Sequence, residues 1–299
     1  MSAIEVPPVP PGPEPASEPV LVIRAEGRSA GRWYRQPALV AGLAILLVVV
    51  GLALAAPLVT SYSPIAQNLN DSLLGPSSSH LLGTDQLGRD TFTRLLYGLR
   101  LDLRIAFIAV LLPFLLGVVL GSLAGYFGGW VDSVVMRLAD IVVAFPFYVL
   151  IIALVFVLGP GQRSIYIAIT LVGWVAYARI IRGEILVAKR QDYITAARSG
   201  GLSNVRIMRR HLLPNVISQG FIYGMSDIVQ DILAIVTLGY LGLGIPPPTA
   251  DLGSMINDGQ NFLSTHWQLT TIPGLAVVIV GLGLSLVGDG LADLLRPGQ

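Results

Sequence analysis

Cysteine is absent from the 299-residue chain, which excludes disulfides, thiolate metal sites, iron–sulfur clusters and a cysteine nucleophile. Charge is scarce. Asp, Glu, Lys and Arg together make up 12% of the residues, about half of the ~25% usual in a soluble domain. The 19 basic and 18 acidic residues nearly cancel, leaving a formal net charge of +1, so no strongly basic face exists for nucleic acid. Lysine occurs once, as Lys189, and is followed by Arg190. A P-loop needs Gly-x-x-x-x-Gly-Lys-Ser/Thr to hold phosphates, so no P-loop can be built here. Only three histidines are present, His80, His211 and His266, in separate segments and without zinc-ligand spacing. What is abundant is apolar: 54% of the chain is hydrophobic. The composition predicts a polytopic, all-α membrane protein.

Residues 1–37 read as a disordered, proline-rich tail with a basic flank, Arg24, Arg28, Arg32 and Arg35. The apolar run that follows starts too late and runs too long for the h-region of a signal peptide. About 20 apolar residues of helix cross a hydrocarbon core, and six segments approach that: 38–59, 105–125, 141–158, 164–178, 216–238 and 269–287. The fourth is the shortest, bracketed by Arg163 and Arg179, and also fits a re-entrant segment. Six spans put both termini on one side. With the amino terminus inside, 14 basic residues lie inside and five (Arg89, Arg94, Arg100, Arg104, Arg163) outside; the positive-inside rule therefore predicts cytoplasmic termini, the carboxyl terminus being residues 294–299.

Two connections exceed simple turns. The outer one, 60–104, has the Gly, Asp and Arg spacing of a folded cap, with turns at Gly83 and Gly88; His80 and Asp85 there are candidate contacts for an extracytoplasmic partner, or structural hydrogen-bonding groups. The inner one, 179–214, is helical at first and breaks at Gly200–Gly201. Ser203 is placed to cap a short basic helix that ends before Pro214. The plain alternative is a solvated loop. Within the membrane, Asp227 and Asp231 are spaced i, i+4 on one helix face, where ionisable groups face a cavity or a partner chain. Gly117, Gly121 and Gly125 form a small-residue ridge suited to close helix packing. Pro113 and Pro146 should kink their spans.

The inner loop, TAARSGGLSNVRIMRRHLLPN, resembles the cytoplasmic signature of ATP-binding-cassette importer permeases, with Ala196, Ala197, Gly201, Leu213 and Pro214 at the family spacing. The blocks 80–100, 125–137, 240–253 and 288–297 are similar to those of the second permease subunit of dipeptide, oligopeptide and nickel importers. Departures stand at Thr195, Ile235, Leu252 and Ala292, where the family usually has Glu, Glu, Trp and Arg. The resemblance implies the type I importer permease fold, with a core over 105–293 of five spans. It implies a non-catalytic transport subunit that binds no cofactor itself, ATP and Mg being used by two partner ATPase subunits. A homologous second permease and an extracytoplasmic binding protein would complete the complex in the cell membrane. Coupling to the ATPases would run through Ala196, Ala197, Gly201, Ser203, Arg206, Arg209, Arg210, His211 and Pro214. The cargo implied is short peptides, with a nickel chelate or another small solute as the alternative.

Three other classes compete. A secondary transporter would show inverted repeats around a midplane site, and no repeated half is found. An intramembrane aspartyl enzyme needs two carboxylates facing one bond, whereas i, i+4 residues stack along one helix. An ion channel has no need for so basic an inner helix.

Overall fold

The computed structural model of the protein describes residues 36–295. Residues 1–35 of the expected tail, with its four arginines, and Arg296 lie outside these residues, and the tail's expected last residue, Pro37, opens the first helix. Ten α-helices carry the described chain: α1 (Pro37–Val59), α2 (Thr91–Phe127), α3 (Gly129–Val143), α4 (Phe147–Leu158), α5 (Gln162–Ala188), α6 (Asp192–Ser199), α7 (Asn204–Ile207), α8 (Leu213–Tyr240), α9 (Leu252–Gly259) and α10 (Gln268–Leu295). Five helical runs are long and apolar enough to cross a membrane, or six if the bent pair α3–α4 is one span.

The centre of the fold is the α2–α5 pair. A Cβ added at Gly117 would stand 2.7 Å from the Trp174 carbonyl oxygen, and one at Gly121 would stand 2.9 Å from the Ala178 Cα. The backbones meet where side chains are missing, which is the packing expected of the glycine ridge. Tyr177, Ala178, Ile181 and Ile185 of α5 are fully buried along this seam. Towards the end bearing α6, polar ties join neighbouring helices: Arg182 donates to Asp132 of α3 (Nη2 to Oδ2 2.6 Å), and Lys189 Nζ donates to the Gly125 carbonyl at 2.8 Å.

Four sequence expectations change. The second span does not begin at Ile105. Helix α2 starts at Thr91, where the Asp90 carboxylate accepts from the Thr93 amide (2.7 Å) and hydroxyl (2.6 Å), an N-cap that satisfies a free helix-end donor. The outer connection is accordingly 60–90. The third span, expected over 141–158 with a kink at Pro146, is bent so sharply that it becomes two helices: α3 and α4 meet at 88°. Pro146 disfavours helical backbone at Phe145 before it and stands at the N-cap of α4. The fourth span keeps its assignment over the re-entrant alternative but not its bounds, because α5 runs unbroken for 27 residues, Gln162–Ala188. Its Arg179 does not end it, since the guanidinium pairs sideways with Asp140 at 2.8 Å.

Finally, Pro214 does not terminate the basic helix. Residues 208–212 form one wide π-type turn, and α8 continues from it with Pro214 in its first turn. Proline is tolerated at the first turn because it lacks only an amide that would be unpaired there. A widened turn avoids the clash of its ring with the preceding carbonyls. The run 204–240 is therefore one 37-residue helical rod.

The cap is folded, with turns at Gly83 (φ 74°) and Gly88 (φ 67°). It is pinned by ion pairs: Arg89 Nε donates to Asp85 at 2.7 Å, and Arg89 and Arg94 both approach Asp258 of α9 at 3.5 and 3.6 Å. Asp251 caps α9 by accepting from the Ser254 amide at 2.9 Å. Burial pushes its carboxyl above the usual carboxylate range, against the opposing pull of its Ser254 and Gly253 contacts.

Candidate functional site: a basic elbow and an acidic helix face

Between α5 and α8 the chain makes an elbow. Helix α6 ends in a Schellman motif, with the Leu202 amide donating to the Ala197 carbonyl at 3.2 Å and the Gly201 amide to the Arg198 carbonyl at 3.0 Å. That closure needs a left-handed residue, and Gly201 supplies it at φ 77°. A residue with a Cβ would strain this position by about 1–2 kcal/mol. Leu202 and Ala197 pack on the core beneath, as the motif's accompanying apolar contact requires.

The elbow has two faces. Ile194, Ile207 and Leu212 are fully buried against Ile181 and Ile185 of α5 and Tyr126 of α2. The Tyr126 hydroxyl donates to Asn204 Oδ1 at 2.7 Å, and the Arg198 guanidinium lies 5.5 Å from the Tyr126 ring centre. On the opposite face Val205 is 64% exposed, and Arg206, Arg209 and Arg210 are exposed around it. Ala196, Ser203 and Pro214 are exposed as well, while Ala197 and His211 are half-buried. Ser203 occupies the N-cap position of α7, but its hydroxyl makes no capping bond. The sequence named the arginines; it did not single out Val205, whose signal is a large apolar side chain between Asn204 and Arg206.

The rod α8 carries the two carboxylates inward. Asp227 is 6% exposed and accepts a hydrogen bond from the Tyr177 hydroxyl at 2.7 Å. Tyr177 is itself gripped edge-on by Phe114 and Tyr223, with ring centres 5.5 and 5.0 Å away. Asp231, 1% exposed, has one carboxylate oxygen without a partner among the described residues. A cavity of about 350 Å³ opens beside Asp227, walled by Tyr223 and Gln230 of α8, by Val172, Gly173 and Arg179 of α5, and by the α3–α4 bend. The elbow and the acidic face thus lie on one continuous helical run, and the bend borders the cavity beside that face.

Replacing Asp227 by Asn keeps an acceptor for Tyr177, whereas Tyr177→Phe strands a buried carboxylate oxygen at a cost of about 1–3 kcal/mol. The expected outcome is a lowered thermal midpoint in detergent for Tyr177→Phe and an unchanged one for Asp227→Asn. Uptake measured on the Asn variant then reports the charge alone.

His80 and Asp85, the candidate contacts for an outside partner, are 8% and 6% exposed. The His80 Nδ1 lies 2.9 Å from Asp90, and Asp85 accepts from the Leu87 and Arg89 amides and the Arg89 guanidinium. Their polar atoms are turned inward to hold the cap together, so the structural alternative accounts for both.

Residues 117–299 match the family described as binding-protein-dependent transport system inner membrane component. Residues 28–76 match the N-terminal transmembrane domain of oligopeptide transport permease C. The chain is 39% identical over 258 residues to the dipeptide transport system permease protein DppC of Bacillus subtilis, covering 86% of this chain and 81% of that protein. It is 37% identical to the glutathione transport system permease protein GsiD of Pectobacterium atrosepticum, covering 89% of each. An inward-facing structure of the MetNI methionine ABC transporter superposes with a TM-score of 0.52 at 17% identity, over 68% of this chain and 97% of that one. At that identity the likeness concerns the fold, a type I importer permease.

Proposed function

Because the chain belongs to the family of binding-protein-dependent transport system inner membrane components, we propose that it is the second permease subunit of an ATP-driven importer of short peptides. The cargo class rests on relatives whose names specify dipeptide and glutathione transport. The observation that carries the mechanism is the elbow: a surface both apolar and basic, rigidly continuous with the helix that bears Asp227.

In this reading Val205, Arg206, Arg209 and Arg210 seat in a groove of a partner ATPase, with Gly201 and the Ala196–Ala197 turn setting the entry angle. The buried face formed by Ile194, Ile207 and Leu212 transmits a push to α5 and α2 because a packed core moves as a unit. The rod 204–240 then tilts, and the α3–α4 bend, already broken at Pro146, accommodates the change around the cavity. ATP can drive this only by binding the inward-open and outward-open assemblies with different affinity. Asp227 and Asp231 line the pathway or contact the homologous permease that completes it. The chain binds no nucleotide or cofactor of its own; ATP and Mg belong to the ATPases, and an extracytoplasmic binding protein delivers cargo. Both termini face the cytoplasm of a cell whose inner membrane the protein crosses six times, as the distribution of arginines favours.

The test is reconstitution. Vesicles holding this chain, its partner permease and both ATPases should accumulate a labelled dipeptide presented on the binding protein, and should stop when ATP or either ATPase is withheld. Accumulation or nucleotide hydrolysis by this chain alone would overturn the reading.

A further inference from the structure

Helices α1, α2, α8 and α10 enclose a second cavity, of about 710 Å³, within the ~300–1,000 Å³ of ligand pockets. Its walls are apolar, with Leu46 and Leu54 of α1 and Phe107 of α2 among them; its polar lining is Tyr97, Arg100, Arg104 and Thr249, and no carboxylate is present. We propose that this cavity is a binding site for one anionic phospholipid, with an acyl chain between α1 and α2 and the phosphate held by Arg100 and Arg104.

Depth, charge and shape support it separately. From Gly125, where Lys189 ties the inner end of α2, to Arg104 is a rise of about 32 Å at 1.5 Å per residue. That equals the ~30 Å hydrocarbon thickness, so Arg104 stands at the far boundary and Arg100, one turn on, at headgroup level. Leu46 to Leu54 covers about 12 Å of α1, close to the ~15 Å of one leaflet. Both arginines are exposed and share a helix face. The acids nearest them along α2 are committed elsewhere: Asp90 accepts from Thr93, and Asp102 accepts from the Leu252 amide at 2.9 Å. Two guanidiniums without a carboxylate beside them, above an apolar cleft, complement a phosphate above a hydrocarbon chain. A helix of the partner permease would instead meet, at the mouth, two cations that form no ion pair among the described residues. Which leaflet supplies the lipid rests on the orientation proposed above; the site itself does not.

The test uses the intact importer complex. Purified in mild detergent from membranes containing phosphatidylglycerol and phosphatidylethanolamine, it should retain phosphatidylglycerol by native mass spectrometry. Arg100→Gln with Arg104→Gln should weaken that retention roughly thirtyfold, the worth of two arginines at an anionic surface, while Arg163→Gln leaves it unchanged. On the unmodified complex, phosphatidylglycerol with a photoactivatable acyl chain should label peptides containing Leu54 or Phe107, which keeps the proposal testable if the double variant fails to assemble. Equal retention of phosphatidylethanolamine, labelling confined to other helices, or a cross-link from Leu54→Cys to the partner permease would each overturn it. Loss of transport with retained lipid would implicate the importer mechanism, not this site.

Discussion

Gly121→Leu is expected to abolish accumulation of the folded protein in the membrane. The glycine lies at the closest approach of α2 and α5, where even a methyl group would stand 2.9 Å from the Ala178 Cα and press on its carbonyl oxygen. Those neighbours are backbone, so no rotamer change relieves the contact. The helices must separate, and with them the seam formed by Tyr177, Ala178 and Ile181, all fully buried. Overpacking by an added methylene or two typically costs about 1–3 kcal/mol, and a whole isobutyl group against backbone costs more. Gly51→Leu is the matched control: it adds the same side chain in α1 where a new Cβ meets nothing within 4 Å, and it should accumulate like the parent. Fluorescence-detected size exclusion of the two variants decides the matter; equal monodisperse peaks would show that the α2–α5 seam is not the fold's core.

That seam was legible in the sequence because three glycines at four-residue spacing have one common physical use in an apolar helix. The boundaries of the spans were not, and the reason is the same in each case. A count of apolar residues treats charge as a sign of water, whereas here charges are neutralised sideways. Arg179 and Arg182 pair with Asp140 and Asp132 across to α3, so α5 continues past both. Arg94 pairs with the cap and α9, so α2 starts well before its apolar run. Asp132, Asp140 and Asp258 lie 39 or more residues from the arginines they pair with, and periodicity carries no information about such partners.

The kink expected at Pro146 is there, because proline and the residue before it restrict the torsions a helix needs; its size, 88°, is what hydropathy averaged over a window does not carry. His80 and Asp85 carry two readings in the sequence, a partner contact or structural hydrogen bonding. Polar residues in an outer loop look available, but in the fold they satisfy one another and the cap amides. The elbow was read correctly as a break at Gly200–Gly201 followed by basic helix, because the Schellman closure is a local device. Its apolar centre emerged only when the buried face identified which residues were left outside.

Val205→Glu should uncouple transport without unfolding the protein. Val205 is 64% exposed and takes no part in the packed core, so a charge there leaves the stability of the complex-free protein within about 0.5 kcal/mol of the parent and its thermal midpoint nearly unchanged. If the elbow seats in an ATPase groove, the new carboxylate lies at the centre of that contact. Losing a central apolar anchor costs about 2 kcal/mol or more, a thirtyfold or larger fall in ATPase retention, with a matching collapse of ATP-driven uptake. Ile207→Glu, two residues on, separates this effect from damage to the elbow itself. Ile207 is fully buried, and an unpaired carboxylate forced into the cluster that holds Tyr126, Ile185 and Leu212 should cost several kcal/mol and depress the thermal midpoint as well as uptake. The pair therefore distinguishes a docking face from a structural one on the same short helix. Parental uptake and ATPase retention by Val205→Glu, with only Ile207→Glu impaired, would mean that the elbow supports the membrane bundle but does not receive the stroke.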